Sequence, residues 1–285
     1  MAGARKNIRY LRYVVQAAFL LLTLHIGYTF YHFVLHFERP GHPFIQRPPS
    51  VDAFLPIAGL MSSKYFLTTG IIEPIHPSAL IMFGAAVCVS LLLKKGFCGW
   101  ICPIGTLSQW FWMAGEKIFG RNFRIWRPAD VLLRSVKYIL MTFFILTIWG
   151  KMSPSSLEAF FHSDYYKIAD IKTMKFFSEM SAGTLWFIAG TSGLSLLYKN
   201  FWCRYLCPYG ALMGLLSRFS PVKIQRTEKN CSHCHSCTRH CPALIDVEGQ
   251  ETVKTAECFG CMTCVSRCPA KGALEVSFGA GEKRK

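Results

Sequence analysis

Two runs of four cysteines, each closed by a proline, constrain this chain more than any other feature of its sequence. The first carries Cys231, Cys234, Cys237, Cys241 and Pro242; the second, with Cys258, Cys261, Cys264, Cys268 and Pro269, repeats it position for position. Steps of three, three and four residues wrap successive thiols round one side of a tight loop. The proline fixes its own φ and disfavours helix at the residue before it. The segment is therefore expected to fold as two short sulfur-lined loops. Each arm holds four thiols where a zinc ribbon needs two, and a disulfide framework needs an oxidising compartment. A thiolate-bound metal centre is the leading reading of these loops, with zinc as its competitor.

The spacing resembles that of bacterial two-cluster ferredoxins. The resemblance implies that Cys231, Cys234, Cys237 and Cys268 hold one 4Fe–4S cluster, and Cys258, Cys261, Cys264 and Cys241 the other. It also implies a small α+β module over residues 223–278. His233, His235 and His240 fall inside the first loop. With all four cysteine positions filled, their expected role is at the surface, tuning potential through hydrogen bonds.

The remainder of the chain is a different material. It contributes to a composition that is 52% hydrophobic yet carries a net charge of +16, a pairing that argues for a membrane protein and against a nucleic-acid binder. Arg5, Lys6, Arg9 and Arg12 precede an apolar run over 13–37, too long for a signal-peptide core and without a small-residue cleavage site. Further spans are expected at about 77–95, 131–149 and 182–199, close to the minimum crossing length. Between them, 38–73 reads as an extramembrane loop with a short interfacial helix near 54–60. The stretch 153–180 reads as a long aromatic and acidic loop, suited to docking a redox partner or to covering the bundle.

Lysine and arginine gather at the N-terminus, over 94–137 and after Tyr198, whereas 38–76 and 150–182 balance them with acids. The positive-inside rule then puts both termini and the cysteine-rich segment on the cytoplasmic side of a prokaryotic inner membrane. Thiols stay reduced there. The expected fold is mainly α: a four-transmembrane-helix bundle within residues 1–222, then the ferredoxin-like module at 223–278, then a basic tail at 279–285.

A second repeat lies in the membrane portion. Lys94 to Leu107, with Cys98, Cys102, Pro103 and Gly105, matches Lys199 to Leu212, with Cys203, Cys207, Pro208 and Gly210. Each copy closes a pair of spans, as in parallel repeats related about the membrane normal. The second cysteine of each copy precedes a proline able to start an interfacial helix, and a thiol at a helix N-terminus is expected to favour thiolate. Three roles stay open for Cys98, Cys102, Cys203 and Cys207: a third iron–sulfur or other soft-metal site, two dithiol–disulfide pairs, or a structural joint. Cys88, alone in an apolar span, is expected to be a small buried hydrophobe.

Twin C-x3-C-P motifs after membrane spans, followed by paired ferredoxin motifs, resemble the NapH/NosR-type membrane iron–sulfur proteins over nearly the whole chain. That resemblance implies an oxidoreductase component, quinol dehydrogenase-like, linking the quinone pool to a protein redox partner or to other subunits of a complex. The CcoG family shares both elements and is associated with copper reduction and oxidase assembly. A metal reductase or cofactor-assembly factor, and a non-catalytic relay anchor, are therefore the alternatives.

His25, His32 and His36 share one face of the first span. Quinol oxidation releases protons and wants a base, which makes His32, His36, Glu73 and His76 quinone-site candidates. A haem lacks a facing histidine in the other spans, and hydrogen bonding of these imidazoles to loop carbonyls is the plainer account. No phosphate loop, serine–histidine pair or nucleotide fingerprint occurs. Lipid, quinone and a protein are the expected partners, with no nucleic acid.

Overall fold

A computed structural model of the chain describes residues 2–279, with side chains from Asn7 onward. The expected basic tail beyond Gly279 lies outside the described residues. Helices dominate, and a single two-stranded sheet accompanies them among the described residues. In chain order these are α1 (Ala2–Glu38), α2 (Pro56–Thr69), α3 (Pro77–Leu92), α4 (Pro103–Phe119) and α5 (Arg127–Ile145). Then come α6 (Pro154–Phe161), α7 (Asp164–Lys167), α8 (Ala169–Ser178), α9 (Ala182–Leu197), α10 (Pro208–Leu216), β1 (Val222–Arg226), α11 (Ser236–Arg239), α12 (Thr263–Arg267) and β2 (Leu274–Phe278). Proline stands at the first position of α2, α3, α4, α6 and α10, where its missing N–H costs nothing and its fixed φ suits a helix.

Among the described residues, two helical stretches are long and apolar enough to cross a membrane, Asn7–Glu38 and Arg127–Lys151. Only 11% of each apolar window is buried, so side chains such as Leu21 and Leu24, or Ile139 and Phe143, point outward. Water penalises so large an exposed apolar surface and lipid does not. The other two expected spans are shorter. Helix α3 starts at Pro77 as expected but has 16 residues, and α9, also 16 residues, passes the same test only together with α8, across a 76° bend. Sixteen helical residues cover about 24 Å, below the ~30 Å of a hydrocarbon core.

The reading of 153–180 as a loop is corrected: it holds α6, α7 and α8. The hydroxyls of Ser153 and Ser163 accept the N–H groups of Ser156 and Tyr166 and so cap the first two. Phe161 and Tyr166, expected to face a partner or a bundle mouth, are buried. Helices this short carry almost no periodic signal. The interfacial helix expected near 54–60 is longer, running through α2.

The chain divides into two compact units. One comprises Leu21–Ala86 with Ile139–Gly190. Its core packs Met61, Tyr65, Ile148, Leu157 and Phe161, and Lys64, itself buried, donates to the carbonyls of Ile148, Trp149 and Met152 at the end of the α5 rod. The other comprises the residues up to Leu20, Val87–Tyr138 and Thr191 onward, and it contains every cysteine. In it β1 and β2 pair antiparallel, Val222 opposite Phe278 and Ile224 opposite Val276, which closes the cysteine-rich module end to end.

Candidate functional site

Two cavities lie within that module. One, about 330 Å³ of atom-free space, is lined by Cys241, Cys258, Cys261 and Cys264 against Ile224 and Val253. The other, about 300 Å³, is lined by Cys231, Cys234, Cys237 and Cys268, with Arg226 and His235 beside them. Cys241, from the first run, thus lines the cavity of the second, and Cys268 that of the first. The duplication extends to the backbone: His233 and Gly260 are left-handed at φ 51° and 59°, and His235 and Met262 at 56° and 55°. These turns fold each loop back around its cavity, and three of the four lack glycine's freedom to adopt them.

Among the described residues no three His, Cys, Asp or Glu side chains stand close enough to hold a single metal ion. A 4Fe–4S cluster spreads its thiolates over four irons, so wide sulfur rings around cavities fit it better than they fit a tetrahedral ion. Burial pushes the Cys258 thiol up to about 11 and the Cys241 thiol up to about 12. Such sulfurs ionise only against a strong positive charge, of the kind iron supplies. The rings differ in access: Cys241, Cys258 and Cys264 are buried, whereas Cys234 is exposed.

The two membrane-proximal motifs share one local design. Phe97–Ile101 and Trp202–Leu206 are π-turns, Cys102 and Cys207 follow in extended conformation, and Pro103 and Pro208 open α4 and α10. The Gly210 N–H donates to Cys207 Sγ at 3.2 Å. The expectation of thiolate character is corrected, however. Burial outweighs the helix N-terminus and raises all four thiols, Cys102 to about 11 even with help from the Gly105 and Ile104 N–H groups. Cys88 is exposed on α3 and not buried as expected, so it covers no core.

Each motif is fastened to a cysteine loop. From the first, Lys95 N–H donates to the Cys258 carbonyl at 3.2 Å and Trp100 Nε1 to the Gly260 carbonyl at 3.1 Å. A Cβ on Gly99 would stand 2.6 Å from the Phe259 carbonyl oxygen, so only glycine allows this approach. From the second, Asn200 Nδ2 donates to the Pro242 carbonyl at 3.1 Å and Arg204 Nη1 to that of Ala243 at 2.6 Å. The same guanidinium grips Asp130 through two bonds of 2.9 Å. Cys241 and Cys258 line the same cavity, so both motifs flank one ring.

Comparison with known proteins follows the same division. The family described as "4Fe-4S binding domain" matches residues 75–125 and 182–227, and the "4Fe-4S dicluster domain" matches 223–269. YccM of Escherichia coli K12, provisionally named an electron transport protein, is 41% identical over 274 residues, covering 96% of this chain and 76% of its own. The chain belongs to the NapH/NosR-type family of 4Fe–4S ferredoxin-type proteins. Within that family it is 24% identical to the ferredoxin-type protein NapH of Escherichia coli K12, over 73% of this chain and 75% of the relative. It is 27% identical to the regulatory protein NosR of Stutzerimonas stutzeri, over 61% of this chain but only 23% of NosR. No solved structure matches.

This NapH/NosR-type chain also has a cavity that the sequence did not announce. About 580 Å³ of space is lined by Arg12, Tyr13, Gln109, Trp112, Glu116 and Lys199, among others, and borders Pro242 and Thr263 of the cysteine loops. Arg12 and Gln16 of α1 both donate to the Gly99 carbonyl, at 2.9 and 3.0 Å, which fixes the cavity wall to the first motif. Its residues are scattered over five segments, and no spacing rule links them.

The candidate quinone residues lie in the other unit. Glu73 accepts from the Ile75 and His76 N–H groups and from the Tyr166 hydroxyl. His76 is buried, with Nδ1 3.0 Å from Asp52 Oδ1 and Nε2 donating to the Tyr166 carbonyl at 3.0 Å. Desolvation alone would lower its pKa, but Asp52 and that carbonyl together raise it. Arg47 bridges Asp52 and Asp170 at 2.6 and 2.8 Å. His36 Nδ1 is 2.6 Å from the His42 carbonyl, the plainer of its expected roles, and the His32 ring meets that of Tyr28 edge-to-face. In the first cysteine loop, His233 and His235 pair with Glu248 at 3.2 and 2.8 Å.

Proposed function

We propose that the chain is a membrane-bound electron-transfer protein that couples quinol oxidation to a protein redox partner through two 4Fe–4S clusters. One observation carries this reading: both membrane-proximal motifs are hydrogen-bonded against the ring of Cys241, Cys258, Cys261 and Cys264, while the second ring reaches the surface at Cys234. The first set would hold the inner cluster, and Cys231, Cys234, Cys237 and Cys268 the outer one, open to a partner. When bound, such clusters supply one-electron carriers, so a quinol gives up its two electrons in steps. The names carried by YccM and NapH point the same way.

A quinol head group fits the cavity beside Pro242 better than it fits the outer histidines. That cavity shares its compact unit with the cysteines, whereas His32, His36, Glu73 and His76 belong to the other unit, where Glu73 and His76 are taken up by the buried network. Trp112 Nε1 is a buried donor without a partner, and Glu116, the one carboxylate among the lining residues, can accept a proton.

Four crossings, with α3 and α9 completed by their flanking residues, are the arrangement this function needs. Both termini and the 223–278 module then face the cytoplasm of a prokaryotic cell, beneath a membrane domain of two parallel repeats over 1–222. The recurrence of one family match on both motifs supports the repeat.

The test is anaerobic mixing of the purified full-length protein with a reduced quinol. Bleaching of the cluster absorbance, slowed about tenfold or more in Glu116→Gln, is expected. Intact clusters that no quinol reduces would remove the quinol link and leave the relay-anchor reading. Turnover with Cu(II) alone would favour a metal reductase.

A further inference from the structure

The first turns of α1 form one wall of a cleft rich in positive charge. Beside the cavity of Arg12, Trp112 and Lys199, about 580 Å³, lies a wider mouth of about 850 Å³ lined by Arg9, Tyr10, Tyr13, Ser266 and Arg267. The two share Arg9, Tyr13 and Arg267, so they adjoin. No carboxylate lines the mouth, and the narrower cavity sets Glu116 alone against Arg9, Arg12, Lys199 and Arg267.

The inner cations are already engaged. Arg12 donates to the Gly99 carbonyl and to Gln109 and Thr263, and Lys199 Nζ donates to the Arg239 carbonyl at 3.0 Å. The two guanidiniums of the mouth are not. Among the described residues neither makes a side-chain hydrogen bond or an ion pair, and Arg9 simply lies over the Tyr13 ring, 5.6 Å from its centroid. Two free guanidinium forks with the Tyr10 phenol beside them suit a phosphate, whose oxygens accept from such a fork in pairs. The same mouth continues into an apolar strip. At about 100° per residue, Tyr10, Leu11, Val14 and Ala18 fall within about 100° of one another on α1, and all four are exposed. Arg12 and Gln16 point the other way, buried against Gly99. The apolar stretch long enough to cross a membrane begins at Asn7, so the mouth lies at its end, the level at which lipid headgroups sit.

We propose that Arg9 and Arg267, with Tyr10 and Tyr13, hold the phosphate of an anionic phospholipid whose acyl chains lie along Leu11, Val14 and Ala18. This rests on the membrane-bound reading of the chain and not on the quinol link. The ligand that uses both features carries a phosphate at one end and hydrocarbon at the other. Inorganic phosphate would meet the guanidiniums but not the strip. The uncompensated positive charge of the mouth disfavours a headgroup that brings its own ammonium.

The experiment equilibrates the full-length protein, purified in detergent, with micelles holding equal amounts of phosphatidylglycerol and phosphatidylcholine. Native mass spectrometry then measures the lipid retained by each chain. Preferential retention of phosphatidylglycerol is expected. The double variant Arg9→Gln, Arg267→Gln should bind it about thirtyfold more weakly, and either single variant about fivefold more weakly. Neither altered side chain bonds within the chain, so helix content by circular dichroism should match wild type. The double variant Lys254→Gln, Lys271→Gln removes the same charge outside both cavities and should keep the lipid. Equal retention of the two lipids by wild type overturns the proposal, as does undiminished affinity in Arg9→Gln, Arg267→Gln. A matching loss in Lys254→Gln, Lys271→Gln overturns it in favour of diffuse charge attraction, and displacement of the lipid by millimolar inorganic phosphate overturns it in favour of a free-phosphate site. A chain that retains neither lipid overturns the membrane-bound reading beneath it.

Discussion

The backbone N–H of Lys95 donates to the carbonyl of Cys258 across 3.2 Å, so the first membrane-proximal motif and the second cysteine run move as one piece. Gly99 makes that approach possible. Gly99→Val would drive a branched side chain into the Phe259 carbonyl, which a Cβ alone would meet at 2.6 Å. A destabilisation of about 1–3 kcal/mol is expected from overpacking of this kind. Thermal unfolding in detergent and iron retention at the inner ring measure it, and a variant as stable as wild type would refute the contact.

The crossed lining of the two cavities makes a sharp prediction about ligands. Cys241→Ser should remove the cluster of Cys258, Cys261 and Cys264, and Cys268→Ser that of Cys231, Cys234 and Cys237. Electron paramagnetic resonance on each variant identifies which signal is lost. Loss of the opposite signal in each case would show that the runs hold their clusters without exchange.

Among the described residues, Glu257 is the sole carboxylate paired with Lys95 and Lys137. Desolvation alone would raise its pKa, but the two ammonium groups hold the carboxyl below its ordinary range. Glu257→Gln keeps the shape and removes the charge, leaving two buried cations. A cost of about 3–5 kcal/mol is expected, since that is the range for breaking a buried ion pair. The melting temperature and expression level of the variant test it.

The His76 network should weaken with rising pH. Its pKa is raised in the folded protein by Asp52 and the Tyr166 carbonyl, with Arg47, Asp170 and Glu73 in the same pocket. A raised histidine contributes fully below its unfolded value of about 6.5 and loses that contribution as pH climbs through the folded value. Hydrogen exchange over α7 and the 70–76 segment should therefore accelerate above neutrality, and His76→Gln should flatten the profile. A wild-type profile without pH dependence would contradict the assignment.

Much of the cysteine chemistry was legible in the sequence because its spacing is local and its loops are short. The doubled left-handed turns at His233 and Gly260 follow from the same repeat. Helix starts at Pro77, Pro103 and Pro208 could be read for the same reason, since proline acts on its own φ. Three features could not be read. The helices between Pro154 and Ser178 are too short to show a period. The thiolate expectation at Cys102 weighed a helix terminus but could not weigh burial, which depends on what packs above it. The cavity of Tyr13, Trp112 and Glu116, like the pairing of Lys95 with Glu257, arises from segments far apart in the chain, and only the folded backbone brings them together.

The clamping of Cys241 and Cys258 from both flanks bears on how the protein matures. A delivery factor in solution can reach the ring that opens at Cys234, but the residues following Leu93 and Tyr198 wall off its neighbour. On the proposed two-cluster reading, cargo for the enclosed ring would have to be inserted before those segments settle onto it, so biogenesis would follow an order of events: the deep centre loaded first, and the chain closing over it afterwards.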